Sequence, residues 1–298
     1  MASWSARRFE RHTLTRHTAN WLLLMPALAL LVVVLGIPLI ENFYRSISEP
    51  NWTITNYTAI FDNSVTLLIL WRTLEAALIV TAIALVLGYP YAYLMTRAGA
   101  RSRAVLLAVV LIPFWTSALA RNFAWIILLG NGGPVQELLN FFGFPNTVLY
   151  GTTAGVMLAM SQVMLPFMVL PLYAAFGGID RRLLLAARGL GSSPAAAFWK
   201  IYWPLSRRGV ISGIILVFTL TCGFYVTPAL VGSPQDSLVS QLLAQETTEL
   251  LNFAAAGALG TFVLVVTLAL VAWANRVAGT ASIAAPATRR PVARRDPA

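Results

Sequence analysis

The sequence predicts an all-α membrane protein, a polytopic bundle of about six transmembrane helices. Of its 298 residues, 58% are hydrophobic and only 11% are charged, whereas soluble domains carry about 25% charged residues. Several long stretches contain no charged residue at all. Such stretches are typical of spanning helices, which need about 20 apolar residues because lipid offers no water to the backbone. The positive residues cluster in alternate segments between these stretches, which indicates a fixed orientation in the membrane.

Six stretches qualify as spans, at residues 21–40, 73–96, 104–120, 149–177, 209–231 and 253–275. The first follows four arginines, as a signal peptide would, but its apolar run is too long and no small-residue cleavage site follows it. We therefore expect an uncleaved helix after a cytoplasmic basic tail at 1–20. The Ala-, Pro- and Arg-rich tail at 280–298 has the composition of disordered segments.

The distribution of charge predicts that both termini lie in the cytoplasm. With the N-terminus inside, 18 of the 21 positive residues fall in cytoplasmic segments, and eight of the 11 acidic residues fall on or near the outer face. Cytoplasmic loops carry the excess of Lys and Arg in membrane proteins. The net charge of +10 is thus a signal of topology and of contact with anionic lipid, and we expect no nucleic-acid partner.

Side chains suited to catalysis or metal binding are scarce in this sequence. The single cysteine, Cys222, lies in an apolar run, and both histidines lie in the N-terminal tail, so neither a disulfide nor a zinc site can form within the chain. The only lysine, Lys200, follows Trp199 instead of the glycine of a phosphate-binding Gly-Lys-Ser/Thr loop. We expect no catalytic residue, no metal and no cofactor in this chain.

Residues 179–208, which we call the basic segment, are too long and too patterned for a simple turn between two spans. Asp180 can cap a short helix that ends at the glycines 189 and 191, and Ser193 followed by Pro194 can begin a second one. We expect Trp203-Pro204 to stop this second helix. It offers four apolar anchors to a partner: Phe198, Trp199, Ile201 and Tyr202. A plain amphipathic connector is the alternative interpretation.

The spacing in the basic segment resembles the permeases of bacterial binding-protein-dependent ABC importers. Their cytoplasmic loop reads Glu-Ala-Ala, three residues, Gly, nine residues, Ile, one residue, Leu-Pro. Five residues match this pattern: Ala186, Ala187, Gly191, Ile201 and Pro204. Leu185 stands in place of the Glu, and Trp203 in place of the Leu. The stretches 87–97, 111–134, 165–180 and 216–232 resemble the spermidine/putrescine branch of these permeases.

The resemblance implies a type I importer permease of the bacterial inner membrane, which forms half of a translocation path by ATP-driven alternating access. It implies three partners: a cytoplasmic ATPase dimer into which the basic segment docks, a second and different permease chain, and an extracytoplasmic binding protein. The implied solute is a small organic cation of the polyamine type, with opines, thiamine or iron as alternatives. An ion-coupled secondary transporter would need buried ionisable residues at mid-membrane, and a membrane scaffold would not need the loop spacing.

Five polar residues in or beside the spans are candidates for the path or the outer gate: Arg72, Glu75, Arg121, Gln162 and Tyr225. Arg72 and Glu75 are three residues apart and could pair on one helical face. The alternative for both, and for Arg121, is that these side chains snorkel to the membrane surface. Gln162 and Tyr225 could instead form hydrogen bonds between helices.

Overall fold

The computed structural model describes residues 25–49 and 51–280, so the predictions for the tail at 1–20 and for residues after 280 lie outside the described residues. The described residues form helices and no strand. We number the helices α1 (Met25–Ser48), α2 (Thr55–Asp62), α3 (Ser64–Arg97), α4 (Ala100–Trp115), α5 (Ala118–Leu129), α6 (Pro134–Phe141), α7 (Thr153–Gly177), α8 (Arg181–Gly189), α9 (Pro194–Cys222), α10 (Val226–Val231), α11 (Val239–Thr248) and α12 (Phe253–Thr280).

The described residues divide into two compact units. The smaller unit contains α1, α2 and the first part of α12, up to Val263. Aromatic and polar contacts hold it together, since the rings of Phe61 and Phe262 lie 5.5 Å apart edge to face. The hydroxyls of the buried Ser46 and of Tyr57 lie 2.8 Å apart at hydrogen-bond distance.

The larger unit is built around α3, α7 and α9, which pack against one another more extensively than any other described helices. The core side of α7 carries the fully buried Met160, Met164 and Met168. A Cβ atom at Gly209 on α9 would lie 2.4 Å from the Cβ atom of Ala175 on α7. The Ala175 Cβ cannot rotate away, so only glycine at this position lets α9 approach α7 this closely. Small residues at such contacts are how membrane helices pack, because they let the backbones come together.

Five described helices are long and apolar enough to cross a membrane: α1, α3, α7, α9 and α12. α3 has 34 residues and is therefore about 51 Å long at 1.5 Å per residue, well beyond the hydrocarbon core of about 30 Å. A sixth span exists only if α4 and the helices that follow it count as one broken span.

The structure corrects the predicted span at 104–120, because α4 ends at Trp115 and the chain turns by 96° before it continues as α5. The reason lies at the carbonyl of Pro113. Its usual helical partner would be the N–H of Ser117, but the carbonyl instead accepts from the Thr116 hydroxyl at 2.7 Å and the Arg121 guanidinium at 2.9 Å.

The predicted span at 209–231 is also corrected, at both ends. α9 begins at Pro194, within the basic segment, and ends at Cys222, where Gly223 separates it from the short helix α10. Trp203-Pro204 does not stop the helix. The chain forms a π-helical turn over Phe198–Tyr202, in which the N–H of Trp203 reaches the carbonyl of Phe198. Pro204 has no N–H to donate, and it follows directly after this turn, where the regular i→i−4 pattern is already interrupted.

Candidate functional site

The basic segment starts with two capped helices, as the sequence predicts. A carboxylate oxygen of Asp180 accepts from the N–H of Arg182 at 2.9 Å and begins α8. The Ser193 hydroxyl accepts from the N–H of Ala196 at 3.2 Å, with Pro194 in the first turn of α9. These side chains satisfy backbone donors that a helix start otherwise leaves unpaired, so the boundaries of both helices are set locally.

Gly191 ends α8 in a geometry that few other residues tolerate. Its φ is +88°, in the left-handed region where a Cβ atom costs roughly 1–2 kcal/mol. The N–H of Gly191 donates to the carbonyl of Arg188 at 3.0 Å, and the N–H of Ser192 donates to that of Ala187 at 3.0 Å. This pair of bonds is the Schellman motif, and it fixes the angle at which the chain leaves α8 for α9.

Aromatic rings pack the π-helical turn against the core helices of its own chain. The ring of Tyr202 lies 5.1 Å from that of Tyr93 on α3 and 5.5 Å from that of Phe176 on α7. Phe198 stacks on Tyr202 at 5.6 Å, with only 20° between the ring planes. Because Tyr202 is 4% exposed, the prediction that it anchors a partner protein is wrong. Tyr202 and Phe198 instead join the basic segment to α3 and α7.

The exposed face of the basic segment carries three large apolar side chains. Leu185 is 65% exposed, Leu190 88% and Trp199 62%. Of the residues that match the permease pattern, Ala186 and Pro204 are exposed, Ile201 is half-buried and Ala187 is buried. Sequence reasoning did not assign Leu190 to this surface, although it stands in the Gly-Leu-Gly turn between the two short helices. This face is available to another protein.

Arg72 contacts a connection far along the chain and not Glu75, which corrects the predicted pair. Its guanidinium donates to the carbonyl of Gln235 at 2.6 Å and lies 3.9 Å from the Asp236 carboxylate. Asp236 also accepts from the Thr153 hydroxyl at 2.8 Å. Arg72 therefore ties the start of α3 to the connection before α11, and Asp236 ties the same connection to α7. Glu75 is exposed.

The other three candidates lie at breaks or between helices. Arg121 is half-buried and bridges the break between α4 and α5 through the carbonyl of Pro113. The amide oxygen of Gln162 accepts from the indole N–H of Trp125 at 3.3 Å, which joins α7 to α5. Tyr225 is 46% exposed at the break between α9 and α10. The structure thus distributes these three residues over three places and does not gather them into one cluster.

Sequence reasoning missed most of the buried polar residues, and Thr73 and Asn122 are two of them. The Thr73 hydroxyl accepts from the N–H of Val239 at 2.9 Å and donates to the carbonyl of Ile69 at 2.8 Å. Asn122 is fully buried, and its side-chain oxygen has no hydrogen-bond partner among the described residues. Threonine is common in apolar helices, so the first had no distinctive signal. The second stands next to Arg121, within the otherwise apolar helix α5.

The long apolar helices, the broken span and the paired short helices define a membrane transport subunit of the permease class. Residues 84–279, about two thirds of the chain, match the family described as binding-protein-dependent transport system inner membrane component. The chain belongs to this family. It is the permease subunit of a binding-protein-dependent ABC importer, and its role is transport rather than catalysis.

Relatives and solved structures agree with this family. The chain is 35% identical over 197 residues to the spermidine/putrescine transport system permease protein PotB of Haemophilus influenzae. This alignment covers 65% of this chain and 68% of that relative. It is 32% identical over 226 residues to PotB of Escherichia coli, covering 75% and 82%. A bacterial alginate ABC transporter, crystallised in complex with a periplasmic protein bound to an alginate pentasaccharide, has a chain of similar fold. The TM-score is 0.68 at 16% identity, over 89% of this chain and 95% of that one.

Proposed function

We propose that this permease imports polyamines of the spermidine and putrescine class. The observation that carries the proposal is the likeness to the two PotB proteins, one of which is aligned over 82% of its length. The family match runs from residue 84 to residue 279 and so includes the second part of α3 and all of α7 and α9. The chain would form one half of the translocation path in the inner membrane.

The proposed complex contains three kinds of partner. A solute-binding protein delivers the polyamine on the outer side, in keeping with the family description. A dimer of ATPase subunits binds the basic segment on the cytoplasmic side, since this chain lacks a Gly-Lys-Ser/Thr loop of its own. A second, different permease chain completes the path. The apolar surface of Leu185, Leu190 and Trp199 supports the ATPase contact, because exposed apolar patches of this kind mark protein interfaces.

Coupling between ATP hydrolysis and transport would run through the basic segment. We assign the ATPase contact to α8, which Asp180 starts and in which Ala186 is exposed and Ala187 is buried. Gly191 sets the turn into α9, and Ile201 and Pro204 lie at the π-helical turn and just after it. α9 then continues without a break to Cys222. A displacement of the basic segment therefore reaches the spanning helix directly, and closure of the ATPase dimer would drive alternating access.

Uptake by the purified complex tests the solute and the energy source together. Proteoliposomes that hold the permeases and the ATPase would be given the binding protein and labelled spermidine or putrescine. We expect uptake that requires ATP and that unlabelled polyamine suppresses, while thiamine does not. Uptake without ATP would instead support an ion-coupled secondary transporter. ATP-dependent uptake of thiamine or iron alone would leave the ABC assignment intact and remove the polyamine.

The proposed orientation, with both termini in the cytoplasm, can be tested by cysteine labelling. Cys222 is buried and would first be replaced by serine. A cysteine at the exposed position of Ala195 should then react with a membrane-impermeant maleimide only in inverted vesicles. A cysteine in place of the exposed Glu137 should react only in spheroplasts, in which the outer membrane is open and the inner membrane is intact. The opposite pattern would reverse the topology and remove the ATPase contact.

Five polar residues are proposed for the path and its outer gate: Arg72, Glu75, Arg121, Gln162 and Tyr225. The support is strongest for Arg121 and Gln162, because Arg121 lies at a break in a membrane helix and Gln162 bonds between two helices. Breaks at membrane depth are tolerated where they are buried in protein or line a cavity. Gln162→Leu should raise the KM for spermidine in the uptake assay more than it lowers ATP hydrolysis. An unchanged KM would assign Gln162 to helix packing.

A further inference from the structure

A cavity of about 290 Å³ lies between the end of α3, the helix α8 and the first turns of α9. α3 contributes Tyr93 and Arg97, and α8 contributes Leu184, Leu185 and Arg188. α9 completes the wall with residues 194, 197 and 198. The cavity thus lies between α8 and the core helix α3, beside the ring contacts that join α9 to α3.

The charge of the cavity is one-sided. It contains two guanidinium groups, those of Arg97 and Arg188, and the described residues that line it include no acid. Arg97 is held in place, because it donates a hydrogen bond to the Tyr93 hydroxyl and its guanidinium carbon lies 4.7 Å from the centroid of that ring. Tyr93 in turn packs against Phe198 and Tyr202. One arginine is therefore oriented in advance for an anionic group.

The remaining wall is apolar, and two tryptophans stand next to it on α9. Leu184, Leu185 and Phe198 line the cavity beside the two arginines. Trp199 and Trp203 follow on α9, with ring centroids 5.8 Å apart, and tryptophan is enriched where helices cross the interface between lipid headgroups and hydrocarbon. A ligand for this cavity would carry an anionic head and an apolar part, both within reach of the lipid.

We propose that the cavity binds the headgroup of an acidic phospholipid of the inner leaflet. Arginine forms paired hydrogen bonds to phosphate oxygens, and basic pockets between helices on the cytoplasmic side are typical sites for anionic headgroups. The bound lipid would bridge α3 and α8 and so hold the basic segment in position for the ATPase. The proposal rests on the proposed orientation of the chain, but lipid binding can be measured without transport.

Lipid retention by the full chain tests the site directly. The chain would be placed in nanodiscs of equimolar phosphatidylglycerol and phosphatidylcholine, extracted gently, and its bound lipids counted by native mass spectrometry. We expect phosphatidylglycerol to be retained over phosphatidylcholine. The double variant Arg97→Gln/Arg188→Gln should lower this preference by at least roughly fivefold, since each basic residue near an anionic surface contributes about a factor of five.

Three variants separate the site from general charge and from misfolding. Arg101→Gln/Arg276→Gln removes the same charge from outside the cavity and should retain the lipid as wild type does. Arg97→Lys/Arg188→Lys keeps the charge and should retain most of the preference. Leu185→Glu places a carboxylate in the cavity, where it can pair with the arginines, and should displace the lipid without removing any arginine.

Three results of the lipid-retention experiment would overturn the proposal. Equal retention of both lipids by the wild-type chain, or unchanged retention in Arg97→Gln/Arg188→Gln, excludes the site. Binding of inorganic phosphate without any preference between the two lipids would assign the cavity to a free anion and not to lipid. Because none of these outcomes involves uptake or ATP, failure of the lipid site and failure of the proposed transport function are distinguishable.

Discussion

The two ends of the larger unit differ in the contacts that stabilise them. At one end, the basic segment packs on α3 and α7 through the rings of Phe198 and Tyr202. At the other end, side chains bond the backbone of the connection before α11, since Arg72 reaches the carbonyl of Gln235 and Thr73 receives the N–H of Val239. Apolar packing is non-directional, whereas a hydrogen bond has strict limits of distance and angle.

This difference indicates how each end can respond to force. Packed rings can slide or tilt and still exclude solvent, so the end with the basic segment can move as a body with α9. The connection before α11 has a fixed register, because a shift of one residue would break both bonds and leave the buried Thr73 and Val239 without their partners. We infer that one end transmits motion and the other holds the helices in alignment.

The largest effect is expected from Tyr202→Ala. Truncation of a fully packed aromatic side chain leaves a cavity and costs about 3–5 kcal/mol, and Tyr202 contacts rings on both α3 and α7. The apparent Tm of the detergent-purified chain should fall steeply. Trp199→Ala is the matched control, because Trp199 is mostly exposed and its loss should shift the Tm little. Equal shifts would contradict the view that the rings join the basic segment to the core.

The second prediction concerns the opposite end, with Arg72→Met. The variant removes a charged hydrogen bond to the Gln235 carbonyl, which should destabilise the local structure by about 1–2 kcal/mol. The ion pair with Asp236 adds little at 3.9 Å and partial exposure. Hydrogen exchange should accelerate in residues 232–241 before it does in α9. Arg45→Met, which removes an exposed pair with Glu41, is the control, and exchange in 232–241 should remain unchanged there.

Sequence reasoning predicted the capped helices well, since Asp180, Ser193 and Gly191 act on residues at most four positions away. It failed where a distant or irregular contact decides the outcome. Pro204 would normally end a helix, and nothing in the sequence shows that a π-helical turn precedes it. The span at 104–120 was predicted from composition alone, while its break depends on Arg121 reaching back to Pro113.

The polar candidates show the same limit. Arg72 and Glu75 have the spacing of a helical pair, but the partners of Arg72 lie more than 160 residues along the chain. The aromatic contacts of Tyr202 were equally hidden, because periodicity cannot tell which face of a short helix turns towards its own core. Local rules therefore placed the helix ends, and the tertiary fold decided which side chains meet.

Smaller changes in stability, of opposite sign, are expected when Gly191 and Gly189 in the turn of the basic segment are each replaced by alanine. Gly191→Ala should destabilise the turn by about 1 kcal/mol, because its φ of +88° disfavours a Cβ atom although the space around it is open. Gly189 is the last residue of α8, and a Cβ atom there would also meet open space. Gly189→Ala should therefore stabilise the helix, by about 0.5 kcal/mol, the lower end of the range for glycine within a helix.

The measurement for this pair is exchange of the N–H groups of residues 190–192, together with ATP-dependent uptake by the assembled complex. Gly191→Ala should accelerate exchange there and lower the amount of solute imported per ATP, and Gly189→Ala should do neither. If both variants left exchange and uptake unchanged, the Schellman turn would have no part in coupling.

The smallest effect is expected from Tyr89→Phe, which removes one hydroxyl between α3 and α9. The Tyr89 oxygen lies 3.0 Å from the hydroxyl of Ser206, and Ser206 also lies 2.8 Å from the carbonyl of Trp203, to which it donates. Ser206 therefore keeps a partner in the variant, and the ring contacts of Tyr89 with Phe176 and Trp203 remain. Side-chain hydrogen bonds between membrane helices contribute about 0.6 kcal/mol on average, so the shift in Tm should be near the limit of detection. A loss as large as that of Tyr202→Ala would mean that this end, like the other, depends on hydrogen bonds, and the contrast between the two ends would fail.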